Sequence, residues 1–217
     1  MRRIFSLVLA CAGLACAADN LIVCDEIPAM QSLAKQVETR LHQTSEITNQ
    51  DKLPVSLSVY RNVTVYIHGD LHEPAENAFI AYAKGGGNLV LLHHTISSGK
   101  RKNKAWLPFL GVTLPTSYKY IDDMTWEIAP TAAAGGGAIT MHETEIYLNH
   151  VNDSDRTVLY GLRFTDPKTA EHFEQPIAAW TRKAERGTVW YFMPGHKASD
   201  FEYEPYVAVL MKAYALK

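Results

Sequence analysis

Three short apolar segments, each ending in acidic or imidazole side chains, do most to limit what this chain can fold into. They are Leu21 to Cys24, followed by Asp25 and Glu26; Val63 to Ile67, followed by His68 and Asp70; and Asn88 to Leu92, followed by His93 and His94. Runs this short and apolar on both faces read as strands buried from both sides. Two stretches of helical period separate them. Met30, Leu33, Ala34, Val37 and Leu41 share one face, with Pro28 at the helix start. Ala75, Ala78, Phe79 and Tyr82 share another, stopped by Gly85-Gly86-Gly87. Strand, helix, strand, helix, strand is the pattern of an α/β domain with a parallel sheet covered on both faces. Ligands in such sheets bind outside the carboxyl ends of the strands. That edge is where this chain puts its acids and imidazoles.

The second half is less regular. Thr44 to Leu53 reads as a polar stretch and Trp106 to Val112 as a short apolar helix and turn. Tyr118 to Ile128 reads as a strand over the sheet edge, and Ala132 to Gly137 as a flexible loop. Glu145 to Leu148, Thr157 to Tyr160, Ile177 to Thr181 and Thr188 to Met193 read as strands, and Pro205 to Leu216 as a closing helix. No repeat and no Pro-, Gly- or Ser-rich linker divides the chain, so residues 19–217 read as one domain.

Residues 1–18 read as an export signal. Arg2 and Arg3 precede an apolar run from Ile4 to Leu14, and Ala15-Cys16-Ala17 fits a small-residue cleavage site. The run is shorter than the ~20 apolar residues of a membrane-spanning helix, so no transmembrane segment is expected. The chain is expected in the periplasm or outside the cell, and a lipid anchor on Cys11 or Cys16 fits less well. Cleavage removes two of the three cysteines and leaves Cys24, in a run that reads as an inner strand. Removing two arginines makes the mature chain more acidic than the formal −2 of the whole sequence. A nucleic-acid partner, which needs a basic face, is not expected.

Several strings together resemble the ThuA-like family, named for a trehalose-utilisation protein. They are YIHGDLHEPAENAFIAYAKGGGNLVLLHHTISS at 66–98, WLPFLG at 106–111, TEIY at 144–147, AAWTR at 178–182 and GTVWYFMPGH at 187–196. The resemblance covers roughly residues 20–216. It implies a flavodoxin-like, class I glutamine amidotransferase-like three-layer α/β sandwich with a mainly parallel central sheet, and a part in carbohydrate metabolism. It also breaks in two places. Amidotransferases carry a Cys nucleophile on the sharp turn where this chain has His93, so glutaminase chemistry lacks its thiolate. Many ThuA-like chains have a His-Pro-Ile turn before the Glu-x-Tyr strand. Here the stretch is Gly136 to Thr140, so that histidine's role does not carry over.

Nine histidines are the unusual count. Imidazole titrates near neutrality and ligates metals. His68, His93, His94, His142 and His196 lie near strand ends or turns of the expected cleft. His42, His72, His150 and His172 sit in polar stretches and read as exposed. The catalytic candidates are His93, His94, Glu145 and His196. Glu145 reads equally as a general base, a metal ligand, an orienter of histidine or a salt-bridged strand residue. Substrate-binding candidates are His68, Asp70, Asp123, Trp126, Tyr147 and Trp180. Asp70 also reads as a helix cap and Trp180 as core. Aromatics beside Asp122, Asp123 and Arg182 suit a carbohydrate. Ser97 to Lys104 reads as a basic loop, solvated rather than reaching an anionic group.

These residues support three functions. One is acid–base chemistry by His and Glu on a sugar or oxidised (keto) disaccharide, as an isomerase, lyase or hydrolase. No dinucleotide fingerprint is present, so hydride transfer is not expected. The second is a Zn²⁺ or other divalent-metal site built on His93 and His196, with His68 and Glu145, serving a metal-dependent hydrolase. The third is a non-catalytic carbohydrate-binding or accessory domain.

Overall fold

The computed structural model describes residues 18–97, 100–114, 119–148, 151–152 and 155–215. The expected export signal, apart from Ala18, and His150 lie outside the described residues. The first half runs β1 (Asn20–Cys24), α1 (Ile27–Leu41), β2 (Ser45–Thr48), β3 (Asn62–Tyr66), α2 (Glu73–Lys84), β4 (Asn88–Leu92) and α3 (His94–Ser97). It continues through α4 (Trp106–Leu110), β5 (Val112–Thr113), β6 (Lys119–Pro130), β7 (Ile139–Leu148) and β8 (Val151–Asn152). The chain closes with β9 (Thr157–Thr165), β10 (His172–Ala184), β11 (Gly187–Phe192) and α5 (Glu204–Tyr214). The polar stretch after Thr44 contains β2, a short edge strand that alternation does not betray.

Nine strands form one sheet in the order β2-β1-β3-β4-β11-β10-β9-β6-β7, and β5 pairs separately with β8. The first five are parallel, in the flavodoxin-like order. The last four continue antiparallel. The expected mainly parallel sheet is therefore corrected to a mixed one. The cause is local: Ala184 and Gly187 pair across a two-residue turn, with Glu185 at φ 52°. So tight a connection joins only antiparallel neighbours.

The strand order also places the helices. From β1 the chain moves outward to β2 through α1, and from β3 it moves the other way to β4 through α2. With right-handed crossovers, opposite directions put α1 and α2 on opposite faces. Accordingly α1 packs with α5, and α2 with α4. Helix α1 buries Ala29, Met30, Leu33 and Val37. It ends where His42 turns left-handed and its N–H returns to the Glu38 carbonyl. Strands β1 and β3 are buried at every position, as continuous apolar runs require.

Register is pinned at the end opposite the imidazoles. Asn20, Asn62 and Asn88 are mutual register partners at the starts of β1, β3 and β4. Asn62 donates to Asn20 Oδ1 (2.5 Å), and Asn88 donates to Asn62 Oδ1 and to the Ala213 carbonyl (2.7 Å each). A slip of one residue would break this buried amide ladder and turn each strand inside out. Fixed starts on three five-residue strands, with Phe192 of β11 opposite Leu92, put Asp25, Ile67, His93 and Met193 at one level, and His68 follows one residue on.

Gly187 lies where β11 passes closest to the end of α2. A Cβ there would collide with the carbonyl oxygens of Ala83 and Gly87, both rigid backbone. Gly187→Ala is expected to lower stability by about 2–3 kcal/mol, read as a shift of the urea midpoint.

Candidate functional site

The site begins with an unusual backbone. His93 leaves β4 with φ 42°, a left-handed conformation that a non-glycine residue adopts only when its surroundings hold it there. Three bonds hold this turn. The His93 N–H donates to the Phe192 carbonyl (2.8 Å), and Tyr191 Oη donates to the His93 carbonyl (3.2 Å). Nδ1 of the ring meets the Met193 carbonyl at 2.5 Å. A carbonyl only accepts, so Nδ1 carries the proton and Nε2 of the neutral ring carries the lone pair.

That lone pair faces His196 and Glu145. His196 Nδ1 lies 3.1 Å from His93 Nε2, and Glu145 Oε1 lies 3.2 Å from it. His196 therefore donates through Nδ1, which leaves the lone pair of its ring on Nε2. His93, His94 and Glu145 are buried, while His196 is half-buried and reaches the surface. Burial opposes a charge on Glu145, but His93 in its protonated form, Tyr147 and Asp122 outweigh it and pull the carboxyl down to about 2. Asp122 is shifted upward by the same contact. Glu145 is thus an anion beside two imidazoles, and a proton entering at His196 can pass to His93 Nε2 and be stabilised there.

The loop after β11 presents His196 through several anchors. Asp200, itself buried, accepts from the backbone N–H groups of His196 (2.8 Å) and Lys197 (3.2 Å) and from Thr144 Oγ1 (2.6 Å). Thr144 precedes Glu145, so one carboxylate ties both sides of the site together. Tyr66 Oη donates to the His196 carbonyl at 2.5 Å. Gly195 has φ 104°, and a Cβ there would meet Phe201 Cζ at 2.8 Å. Only glycine fits the sequence's Gly-His turn.

His94 opens α3 and turns the other way. Its Nδ1 meets Tyr147 Oη at 3.0 Å. Its Nε2 is buried, with no hydrogen-bond partner among the described residues; Glu26 Oε1 lies 3.7 Å away. His68 stacks on His94 at 4.3 Å between ring centroids, and its Nδ1 is 3.4 Å from Glu26 Oε1. Burial pulls the His94 imidazole down to about 4, and Glu26 only partly counters it. Glu26 in turn is held below the usual carboxylate range by His94. Ligand-type atoms of His93, His94, Glu145 and His196 all lie within 4.8 Å of one another, as do those of Glu26, His68 and His94. Both groups could hold a metal ion.

Four substrate-binding candidates and one cleft histidine are not gathered here. Asp70 is exposed, its carbonyl accepts from Gln50, and it is His72 that stands at the cap position of α2. Asp123 is exposed at φ 52°, inside a register shift of β6, and it is Asp122 that reaches Glu145. Trp126 is 2 % exposed in the sheet and Trp180 1 %. Arg156 stacks on the Trp180 ring at 4.5 Å, so neither indole offers a face to a sugar. His142 is exposed against Tyr203. His42, His72 and His172 are exposed, as expected.

Two residues matter more than the sequence reading allowed. Arg101, from the expected solvated loop, is 6 % exposed. Its guanidinium donates to the carbonyls of Ile67 (2.5 Å), Gly69 (2.8 Å) and Thr95 (3.1 Å), joining the ends of β3 and α3. Asp25 accepts from the N–H groups of His68 (2.9 Å) and Gly69 (2.7 Å). Cys24 is buried with its thiol pushed up to about 11 by that burial, which leaves it protonated at neutral pH.

His94 predicts a pH dependence. Its folded pKa of about 4 lies below the ordinary 6.5. Between these values the unfolded chain binds a proton that the folded chain does not. Its contribution to stability is therefore present above pH 6.5 and lost as pH falls towards 4. Urea titrations in the presence of EDTA should show a shallower loss over this window in His94→Gln than in the wild type.

Comparison with known proteins agrees with this architecture. The sequence profile of the ThuA family, described as trehalose utilisation, matches residues 19–215. No curated protein matches the sequence. A solved ThuA-like protein from Parabacteroides merdae superposes with TM-score 0.68 at 12% identity, over 90% of this chain and 88% of that one. A second, from Bacteroides uniformis, gives 0.60 at 17% identity, over 90% and 89%. The β-galactosidase of Bacillus circulans sp. alkalophilus gives 0.64 at 12% identity, where 92% of this chain matches 31% of that longer one. At such identities these likenesses show the fold alone. By its sequence profile, over nearly its whole length, the chain belongs to the ThuA family.

Proposed function

We propose that the protein is an exported enzyme that acts on a sugar or an oxidised (keto) disaccharide by imidazole–carboxylate acid–base chemistry. The observation that carries this reading is the shared contact at His93 Nε2, with His196 Nδ1 at 3.1 Å and Glu145 Oε1 at 3.2 Å. His196 is the half-buried member, and its Nε2 lone pair is the base that meets the substrate. It takes a proton from a carbon next to a carbonyl, or from a hydroxyl. Its Nδ1 proton then moves to His93 Nε2, where the Glu145 carboxylate stabilises the imidazolium. The reverse path returns the proton as a general acid. His93 is fully buried and acts through His196. The sugar class is supported by the family's description, trehalose utilisation. Export is supported by the leader read in residues 1–18.

A second reading, a metal-dependent hydrolase, is supported by the four ligand-type side chains gathered around His93. A divalent ion bound there would polarise a substrate oxygen.

The test is turnover of a panel of plain and keto disaccharides by the purified mature protein. Glu145→Gln keeps the shape of the side chain and removes its charge. It should lower kcat by about 100-fold or more, while His196→Gln should remove turnover. Saturable sugar binding without turnover by the wild type would replace the enzyme with a binding role. Activity abolished by chelators and restored by a divalent ion would favour the second reading.

A further inference from the structure

We infer that Glu26, His68 and His94 form a divalent-cation site beside the proton-transfer group, with His94 lying between the two. The inference does not rest on the sugar reading, because none of these three residues takes part in the His196–His93–Glu145 contact.

One nitrogen of His94 is committed to Tyr147 and the other is bare among the described residues. Tyr147 hydrogen-bonds Glu145, an acceptor-only carboxylate, so its hydroxyl proton is spent there. Its oxygen then accepts from His94 Nδ1 at 3.0 Å. This fixes the tautomer and leaves a lone pair on His94 Nε2, buried and without a hydrogen-bond partner among the described residues. The nearest charged atom is Glu26 Oε1 at 3.7 Å. Two acceptors facing each other, one of them buried, are satisfied by a donor or a cation placed between them. An imidazole whose far nitrogen donates to an oxygen while its near nitrogen is bare is the usual arrangement of a metal-ligating histidine.

Distances separate the two groups. Around an ion with bonds of about 2.0–2.2 Å in tetrahedral geometry, ligand atoms lie roughly 3.3–3.6 Å apart. The Glu26 group has 3.4 Å from His68 Nδ1 and 3.7 Å from His94 Nε2, close to that spacing. The His93 group is tighter, at 3.1 and 3.2 Å, shorter than that ligand spacing. Two imidazoles and one carboxylate suit Zn²⁺ or a similar transition ion better than Ca²⁺ or Mg²⁺, which prefer oxygen. Glu26 and His68 side chains are 38% and 45% exposed, so an ion can enter and keep an open position. Asp25 fixes the backbone of His68, which steadies the one ligand that lies on a loop.

The test is zinc binding by the full mature chain, stripped with chelator and re-dialysed. Stoichiometry is read by elemental analysis and affinity by competition with a chromophoric chelator. The wild type should hold one ion per chain. Glu26→Gln and His68→Gln should each weaken affinity by about 100-fold or more, since even loss of a ligand's supporting partner costs 10–100-fold. Both positions are half-exposed, and circular dichroism checks that the variants fold. His196→Gln should leave affinity within a few-fold. The inference is overturned if the wild type binds no stoichiometric zinc. It is also overturned if neither Glu26→Gln nor His68→Gln weakens binding, or if His196→Gln weakens it as much as they do.

Discussion

A left-handed residue at the end of a buried parallel strand is the constraint on which the rest of the site depends. A non-glycine residue in that region costs of order 1–3 kcal/mol, and His93 is held there by its backbone bond to Phe192 and by Tyr191 on its carbonyl. The turn aims the ring at the Met193 carbonyl, and that single contact decides the tautomer. Once Nδ1 is committed, the lone pair on Nε2 is placed for His196 and Glu145. The next residue, His94, is sent to the opposite side, towards Tyr147, Glu26 and His68. Two adjacent histidines thereby serve two neighbouring groups.

The mixed sheet is what makes this arrangement possible. Its parallel half brings Asp25, Glu26, His68, His93 and His94 to one edge, with register fixed by the buried asparagine ladder at the other end. Its antiparallel half brings Glu145 and Tyr147 on β7 to the same place. Neither half holds the chemistry alone, because the imidazoles come from one and the anion of the proton pair from the other. Asp200 joins them, bonding the His196 backbone and Thr144 at once.

The strand ends were legible in the sequence because apolar runs stop abruptly there. Such stops mark His68, His93, His94 and His196, and the Glu-x-Tyr string marks Glu145 and Tyr147. What was not legible depended on contacts distant in sequence. The face taken by Asp122 and Asp123 is set by a register shift in β6 that alternation cannot place. Trp126 and Trp180 look like sugar platforms until the sheet closes over them. Arg101 looks like part of a solvated basic run, and only the fold brings three carbonyls within its reach. Glu26 stood at a recognised strand end, but its partners come from β3 and β4, so its place in a cluster was invisible. The antiparallel half was concealed by a two-residue turn whose sequence, Glu185-Arg186, lacks the glycine or asparagine that usually marks one.

The account stands or falls on where the proton of His93 resides. Two-bond ¹H–¹⁵N correlation spectra of residues 19–217 with labelled histidines, assigned with a His93→Gln variant, report this directly. The structure predicts a proton on His93 Nδ1, held by the Met193 carbonyl. A His93 ring with Nδ1 bare and its only proton on Nε2 would contradict the geometry that places both groups.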